Sequence, residues 1–173
     1  MNNKTFTALV FLCLITHIIR TVYEILKHKK IVVASKFSFA IIFTNMAVLW
    51  ISWFMLGSYD VYKINLPSVV RYFGIVLDLL GAVLFFTALF TIKTLETYNG
   101  DLITKGIYSK VRHPMYLGFI LWLIGTPVFY GAVFSFTLAV LFIANVLFWR
   151  HLEEIELEKR FVGYKKHKVK TLF

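Results

Sequence analysis

Runs of apolar residues long enough to cross a bilayer constrain this chain more than any other feature. A membrane-spanning helix takes about 20 mostly apolar residues, within a range of about 17–25. Phe6–Tyr23, Ser38–Gly57 and Pro67–Ile92 meet that requirement, and the last is long enough to tilt or protrude. A further block, Met115–Trp149, is too long for one helix and contains Pro127 and Gly131. Proline fixes φ and removes a donor, while glycine tolerates turn geometry. The block therefore divides into Met115–Tyr130 and Ala132–Trp149, a tight helical hairpin. The expected fold is all-α: a polytopic integral membrane helical bundle of about five transmembrane helices, with the hairpin at its C-terminal end and a cytoplasmic tail helix after it. We read residues 1–173 as a single membrane domain, with three spans in 1–92 and a loop, the hairpin and the tail helix in 93–173.

Composition agrees. Of the 173 residues, 59% are hydrophobic and 16% charged, against about 25% charged in a soluble domain. Disorder, collagen-like repeats and a water-soluble globule are excluded on that ground. The formal charge of +10 could suggest nucleic acid, but cationic cytoplasmic loops explain it better. Lys27, Lys29, Lys30 and Lys36 follow the first span, and Lys93, Lys105, Lys110 and Arg112 follow the third. The tail adds Arg150, Lys159, Arg160, Lys165, Lys166, Lys168 and Lys170, whereas the alternate loops hold only Lys4, Asp60 and Lys63. The positive-inside rule then places the N-terminus outside and the C-terminus in the cytoplasm. No small-residue cleavage site follows the first apolar run, which reads as a retained span. The lone Cys13 reads as a small core hydrophobe.

The polar chemistry gathers after Ile92. One constellation runs Leu102-Ile103-Thr104-Lys105-Gly106-Ile107-Tyr108 and then Arg112-His113-Pro114-Met115-Tyr116-Leu117-Gly118. Pro114 disfavours the helical region at His113 and starts the fourth span. An imidazole, two phenols and free helix-terminal amides thus meet at headgroup depth, although Arg and Tyr at a membrane border also serve as simple anchors. The second constellation is Arg150-His151-Leu152-Glu153-Glu154, with Leu157 and Phe161 beyond it. Spacings of three and four bring Arg150 within reach of both glutamates, which are costly to desolvate unless they pair or bind something. A salt-bridged start to the tail helix accounts for them equally well. A hairpin makes the two constellations neighbours.

Gly-x-Tyr, Arg-His-Pro-x-Tyr-x-Gly, a hydrophobic hairpin and Glu-Glu-x-x-Leu-x-x-x-Phe, in that order, resemble the isoprenylcysteine carboxyl methyltransferase family. More broadly the pattern is similar to the integral-membrane methyltransferases that include phospholipid N-methyltransferases. The resemblance covers roughly 102–164. It implies an enzyme with S-adenosyl-L-methionine bound between the last two spans and the tail helix, and a lipophilic or prenylated acceptor drawn from membrane lipid. Leu102 and Ile103 would line the adenine side, Tyr108, His113 and Tyr116 would contact the donor, and Pro114 and Met115 would shape the wall. Glu153 would hold a polar part of the donor, Arg150 the substrate carboxylate, and Glu154 would orient Arg150. No metal and no nucleic acid are implied. This chain has Gly100 where the family often carries a polar residue, and His167 in place of a second tail tyrosine.

The bottom-up chemistry is compatible. Aromatic faces stabilise a desolvated cation by about 0.5–2 kcal/mol, and a carboxylate acceptor is already ionised and needs no general base. An amine acceptor would need one, with Glu154 or His113 the candidates. The absence of Gly-x-Gly-x-x-Gly argues against a Rossmann-type site. Two other classes compete with the leading one. A nicotinamide-dependent sterol or isoprenoid reductase shares an Arg-His-Pro-x-Tyr hairpin but lacks paired glutamates at this distance, and a non-enzymatic subunit would keep only the fold. Asp78 lies mid-span, a functional suspect, with Arg71 on the same face as a possible partner. Asn45 and Asn145 read as interhelical donors, and His17 as a packed histidine.

Overall fold

The structure is a computed structural model and describes residues 2–33, 35–92 and 101–173. Lys93 and Gly100 lie outside the described residues. Among the described residues there are six α-helices: α1 (Asn2–His28), α2 (Lys36–Tyr59), α3 (Ser68–Ile92), α4 (Pro114–Tyr130), α5 (Val133–Arg160) and α6 (Tyr164–Lys170), with a 3₁₀ turn at Gly106–Ser109. Four of them, α1, α2, α3 and α5, are long and apolar enough to cross a membrane, and α4 is a shorter apolar helix of 17 residues. The protein is a multi-pass helical membrane protein. Large apolar side chains such as Phe11, Ile18, Val69, Val83 and Phe90 face outward, because lipid solvates them as well as the interior would.

The helices overrun the apolar runs at the basic end. The first extends beyond Tyr23 to His28, carried by the i,i+4 ion pair of Arg20 with Glu24. The fourth starts at Pro114, whose missing N–H is an orphan at that position anyway. It continues through Pro127 to Tyr130 and ends on Gly131, whose φ of 63° is the left-handed cap. At this end of the bundle Ile64 N–H donates to Gly131 O (2.9 Å) and Val133 N–H to Tyr62 O (2.8 Å). Asp60 is buried here and accepts from Ser135 N–H (2.7 Å) and its hydroxyl (2.8 Å). Its negative charge thus caps α5 from another segment.

The closest pairing is α3 on α4. Gly74 meets Gly125 and Gly81 meets Gly118 so tightly that a Cβ on Gly74 would lie 2.6 Å from Gly125 O, and one on Gly118 2.7 Å from Gly81 O. Small residues that let backbones touch are the usual means of holding helices together in lipid. Trp122 reinforces the pair by donating from its indole to Asp78 O at 3.0 Å. The Asp78 carboxylate accepts from the Thr126 hydroxyl at 3.2–3.3 Å, while Arg71 donates to Phe129 O at 3.0 Å. The acid and the arginine therefore do not pair with each other; each is absorbed by α4. His17 stacks on Phe142 with ring centres 3.7 Å apart, Asn145 bonds His17 and Thr21, and Asn45 donates to Thr16 O, so these polar groups hold α1 to α5 and α2.

The tail holds two helical pieces. The fifth helix keeps going past Trp149 to Arg160, 28 residues or about 42 Å in all, with every one of its charges from Arg150 onward. The chain then turns at Phe161–Gly163, and α6 folds back. Buried Tyr164 anchors the return through His113, and residues 171–173 lie against 110–112, where Arg112 N–H donates to Leu172 O and Leu172 N–H to Lys110 O.

Candidate active site

A cavity of about 490 Å³ opens at the basic end of the bundle, within the usual size range of small-molecule sites. Its polar part is built from the loop before α4, the first turn of α4 and the part of α5 beyond the apolar run. Tyr108, His113 and Tyr116 are buried and line it, with Leu102, Ile103 and Met115 completing the wall. Glu153 enters from α5 and interacts with the Tyr116 hydroxyl. Its other near neighbour is His113, whose Nδ1 is 4.0 Å away. Burial, assisted by the charge of Glu153, raises the Tyr108 hydroxyl's pKa well above the ordinary tyrosine value, so Tyr108 stays a neutral phenol and an aromatic face.

The cavity continues as an apolar shaft. Met46, Trp50, Phe54, Phe85, Phe119 and Trp122 line this part, with Trp50 4.8 Å from Phe119 and 5.0 Å from Trp122 between ring centres. The second helix rests on α1 and only lightly on α4, whereas α3 is bound to α4. The shaft occupies the space between α2 and α3. Ile51 and Phe43, both on its α2 wall, are 62% and 50% exposed, so the shaft communicates sideways with the lipid-facing surface.

Glu154 and Arg150 take different places. Glu154 is buried outside the cavity wall and accepts from Lys168 Nζ at 2.8 Å, with Arg112 Nε and His113 Nε2 both at 3.4 Å. Arg112 in turn donates to Lys168 O and Thr171 O at 2.8 and 2.6 Å, and the His113 and Tyr164 side chains share a hydrogen bond of 3.1 Å. This network fastens α6 and the returning tail to the start of α4. The structure does not bring Arg150 to the cavity or to either glutamate: its guanidinium lies 4.6 Å from the Phe173 ring, and its Nε is buried without a hydrogen bond. The expected approach to Glu153 and Glu154 fails because the returning tail lays Phe173 against that face of α5. Pro114 is fully buried behind the wall. Sequence reasoning also missed the contributions of α1 and α2, including Arg20; the only sequence signal for Arg20 was its position at the end of the first apolar run.

Glu154 gives a testable stability effect. The hydrogen bond from His113, and then that from Lys168, hold its carboxyl well below the usual glutamate range, against the opposing effect of burial. A depressed folded-state value means the stabilisation is complete above the ordinary glutamate value of 4.5 and is lost as pH falls below it toward the folded value. Removing one partner of a buried ion pair costs about 3–5 kcal/mol. Glu154→Ala is expected to lose stability near the lower figure, since Lys168 is partly exposed, and a lower thermal midpoint in detergent reads that loss. Glu154→Gln should flatten the acid dependence of unfolding.

Fold and site together define a polytopic helical membrane protein in which a polar, aromatic pocket at one membrane border continues into a lipid-facing shaft. The phospholipid methyltransferase family model matches residues 69–163, more than half of the chain. The chain belongs to that family. It is 32% identical over 109 residues to protein-S-isoprenylcysteine O-methyltransferase B of Arabidopsis thaliana, covering 58% of this chain and 50% of that protein. Protein-S-isoprenylcysteine O-methyltransferase of Schizosaccharomyces pombe is 38% identical over 53 residues, 31% of this chain and 20% of the relative. Protein-S-isoprenylcysteine O-methyltransferase A of Arabidopsis thaliana is 33% identical over 67 residues, 34% of each. The matches thus span half or less of these curated relatives. No solved structure matches.

Proposed function

We propose that the protein is an S-adenosylmethionine-dependent methyltransferase that modifies the carboxylate of a prenylcysteine-like, lipophilic acceptor. The observation that carries this reading is the continuity of one cavity from Glu153 and Tyr116 to the aromatic shaft between α2 and α3. A charged, water-soluble ligand and a greasy one can meet there without either leaving its own medium. The names of the relatives point the same way.

The lining fits the donor. Its volume is adequate, Tyr108 and Tyr116 present aromatic faces to a cation, and Glu153 offers a carboxylate acceptor for ammonium or ribose hydroxyl. Leu102 and Ile103 provide an apolar edge for a base. The donor supplies a methyl group made transferable by the positive sulfur. The protein's part is alignment in a water-poor pocket, an effect that reaches about 7–11 kcal/mol when the geometry is good. His113 holds the start of α4 through Tyr164 and Glu154, a role that suits a reaction without a general base. The concentration of cations at the cavity end supports a cytoplasmic active site. A shaft open to lipid suits lateral entry of the acceptor.

The test is methyl transfer by purified protein in liposomes, using a tritiated methyl donor and N-acetyl-S-farnesylcysteine. The expected product is a base-labile ester that releases tritiated methanol. Base-stable label on a phosphatidylethanolamine headgroup, with none on the farnesylated acid, would replace the carboxylate acceptor by an amine. No transfer and no donor binding by folded protein would overturn the enzyme reading.

A further inference from the structure

We propose that Arg20 of α1 is the cavity's carboxylate-binding cation, gripping the ligand's anionic head where the polar pocket meets the aromatic shaft. This rests on the methyltransferase reading for the identity of the ligands, but the site itself stands on the placement of α1. Arg20 lies in the last turn of the first apolar run, Phe6–Tyr23, so its guanidinium sits at the border between hydrocarbon and the polar end. It lines the cavity with a side chain only 11% exposed.

Three neighbours fix it there. Glu24, one turn on, forms an ion pair with it. The rings of Tyr23 and Trp149 lie 5.7 and 5.8 Å from the guanidinium carbon, within the reach of cation–π attraction. The group is thus presented by a scaffold of two helices rather than by a loose side chain. Arg20, Glu24 and Glu153 all lie within electrostatic reach of the Tyr116 hydroxyl, which places Arg20 beside the residues assigned to the donor.

Arg160 also lines the cavity, at the far end of α5 with its guanidinium 5.0 Å from the Phe161 ring, and two further guanidinium groups lie near the pocket. Arg112 is consumed by Glu154 and two tail carbonyls, and Arg150 lies under Phe173 outside the cavity. Arginine keeps its charge in any protein environment and its planar fork matches a carboxylate. A carboxylate arriving at Arg20 exchanges water for a charge-assisted bond while Glu24 keeps the fork oriented. Two ligands bring a carboxylate to this level: the acceptor's, at the head of a prenyl chain in the shaft, and the aminoacyl carboxylate of the donor. The family match begins at residue 69, so this contact is a contribution of the chain's own N-terminal helix.

The experiment compares wild type with Arg20→Gln and Arg20→Lys. Binding of N-acetyl-S-farnesylcysteine and of its neutral carboxamide is read by tryptophan fluorescence in detergent. Binding of S-adenosylhomocysteine is read by calorimetry. A charge-assisted hydrogen bond implies a preference of roughly 10–100-fold for acid over carboxamide. Arg20→Gln is expected to remove that preference while leaving carboxamide binding near wild type, with a lower thermal midpoint because buried Glu24 loses its partner, and with Arg20→Lys intermediate. A loss of S-adenosylhomocysteine affinity of the same size, with acid preference intact, assigns the same site to the donor's carboxylate. Retention of both affinities in folded Arg20→Gln overturns the inference, even if methyl transfer is lost. If Arg20→Gln does not fold, equal acid preference in Arg20→Lys and wild type overturns it instead. Wild-type acid preference without methyl transfer would sink the enzyme reading and leave the anion site standing.

Discussion

Gly125→Ala is expected to cost the protein its α3–α4 pair, with a loss of folded, monodisperse protein after detergent extraction. The added methyl would sit against an oxygen of the Asp78 carboxylate and 2.6 Å from Gly74 O. Backbone on the facing helix cannot yield as the end of a long side chain can, so the helices must separate. Overpacking in a core costs typically 1–3 kcal/mol and sometimes more. The upper end applies here, because separation would also strain the Trp122–Asp78 and Thr126–Asp78 bonds. Gly118→Ala should act in the same direction through Gly81 O. Gly163→Ala is the control: a Cβ there meets nothing within 4 Å, and its thermal midpoint should match wild type. A Gly125→Ala protein with unchanged yield and melting would mean that this contact does not hold the bundle together.

The spans were legible in the sequence because a bilayer imposes a length on any helix crossing it, and apolar runs such as Ser38–Gly57 display that length directly. The hairpin was legible for a related reason: Gly131 sits where a left-handed cap is needed. The glycine pairing was present in the sequence as two spacings of seven, Gly74 to Gly81 and Gly118 to Gly125, but nothing local says that two such stripes face each other. Asp78 and Arg71 show the same limit. Their spacing on one helix invited a pair, whereas Thr126 and the Phe129 carbonyl on α4 provided partners of better geometry. In the site, Tyr116 and Glu153 were legible because hairpin topology makes the ends of α4 and α5 neighbours. The fate of Arg150 was not, since it depends on a tail that turns at Phe161 and pairs with 110–112. Nor was the entry of Arg20, which requires knowing that α1 packs on α5.

The two adjacent glutamates are expected to separate cleanly under mutation, and Glu153→Ala carries the larger effect on ligand binding. Glu153 has a side chain 42% exposed and the His113 imidazole 4.0 Å away, so the fold draws little from it. Surface pairs of that kind contribute about 0–1 kcal/mol. Glu154, one residue on, turns about 100° around the helix and is buried among Arg112, His113 and Lys168. The Ala variant at 153 should melt within a few degrees of wild type but bind S-adenosylhomocysteine roughly 10–100-fold more weakly, the range for one or two charge-assisted hydrogen bonds. Tyr116→Phe keeps the aromatic face and should lose much less than Tyr116→Leu, which removes it. Calorimetric titration of wild type and the four variants, Glu153→Ala, Glu154→Ala, Tyr116→Phe and Tyr116→Leu, against S-adenosylhomocysteine checks this directly. If Glu153→Ala binds as wild type does while Glu154→Ala folds and fails to bind, the carboxylate that meets the donor is the buried one, and the pocket must reach the ligand through the network that fastens the tail.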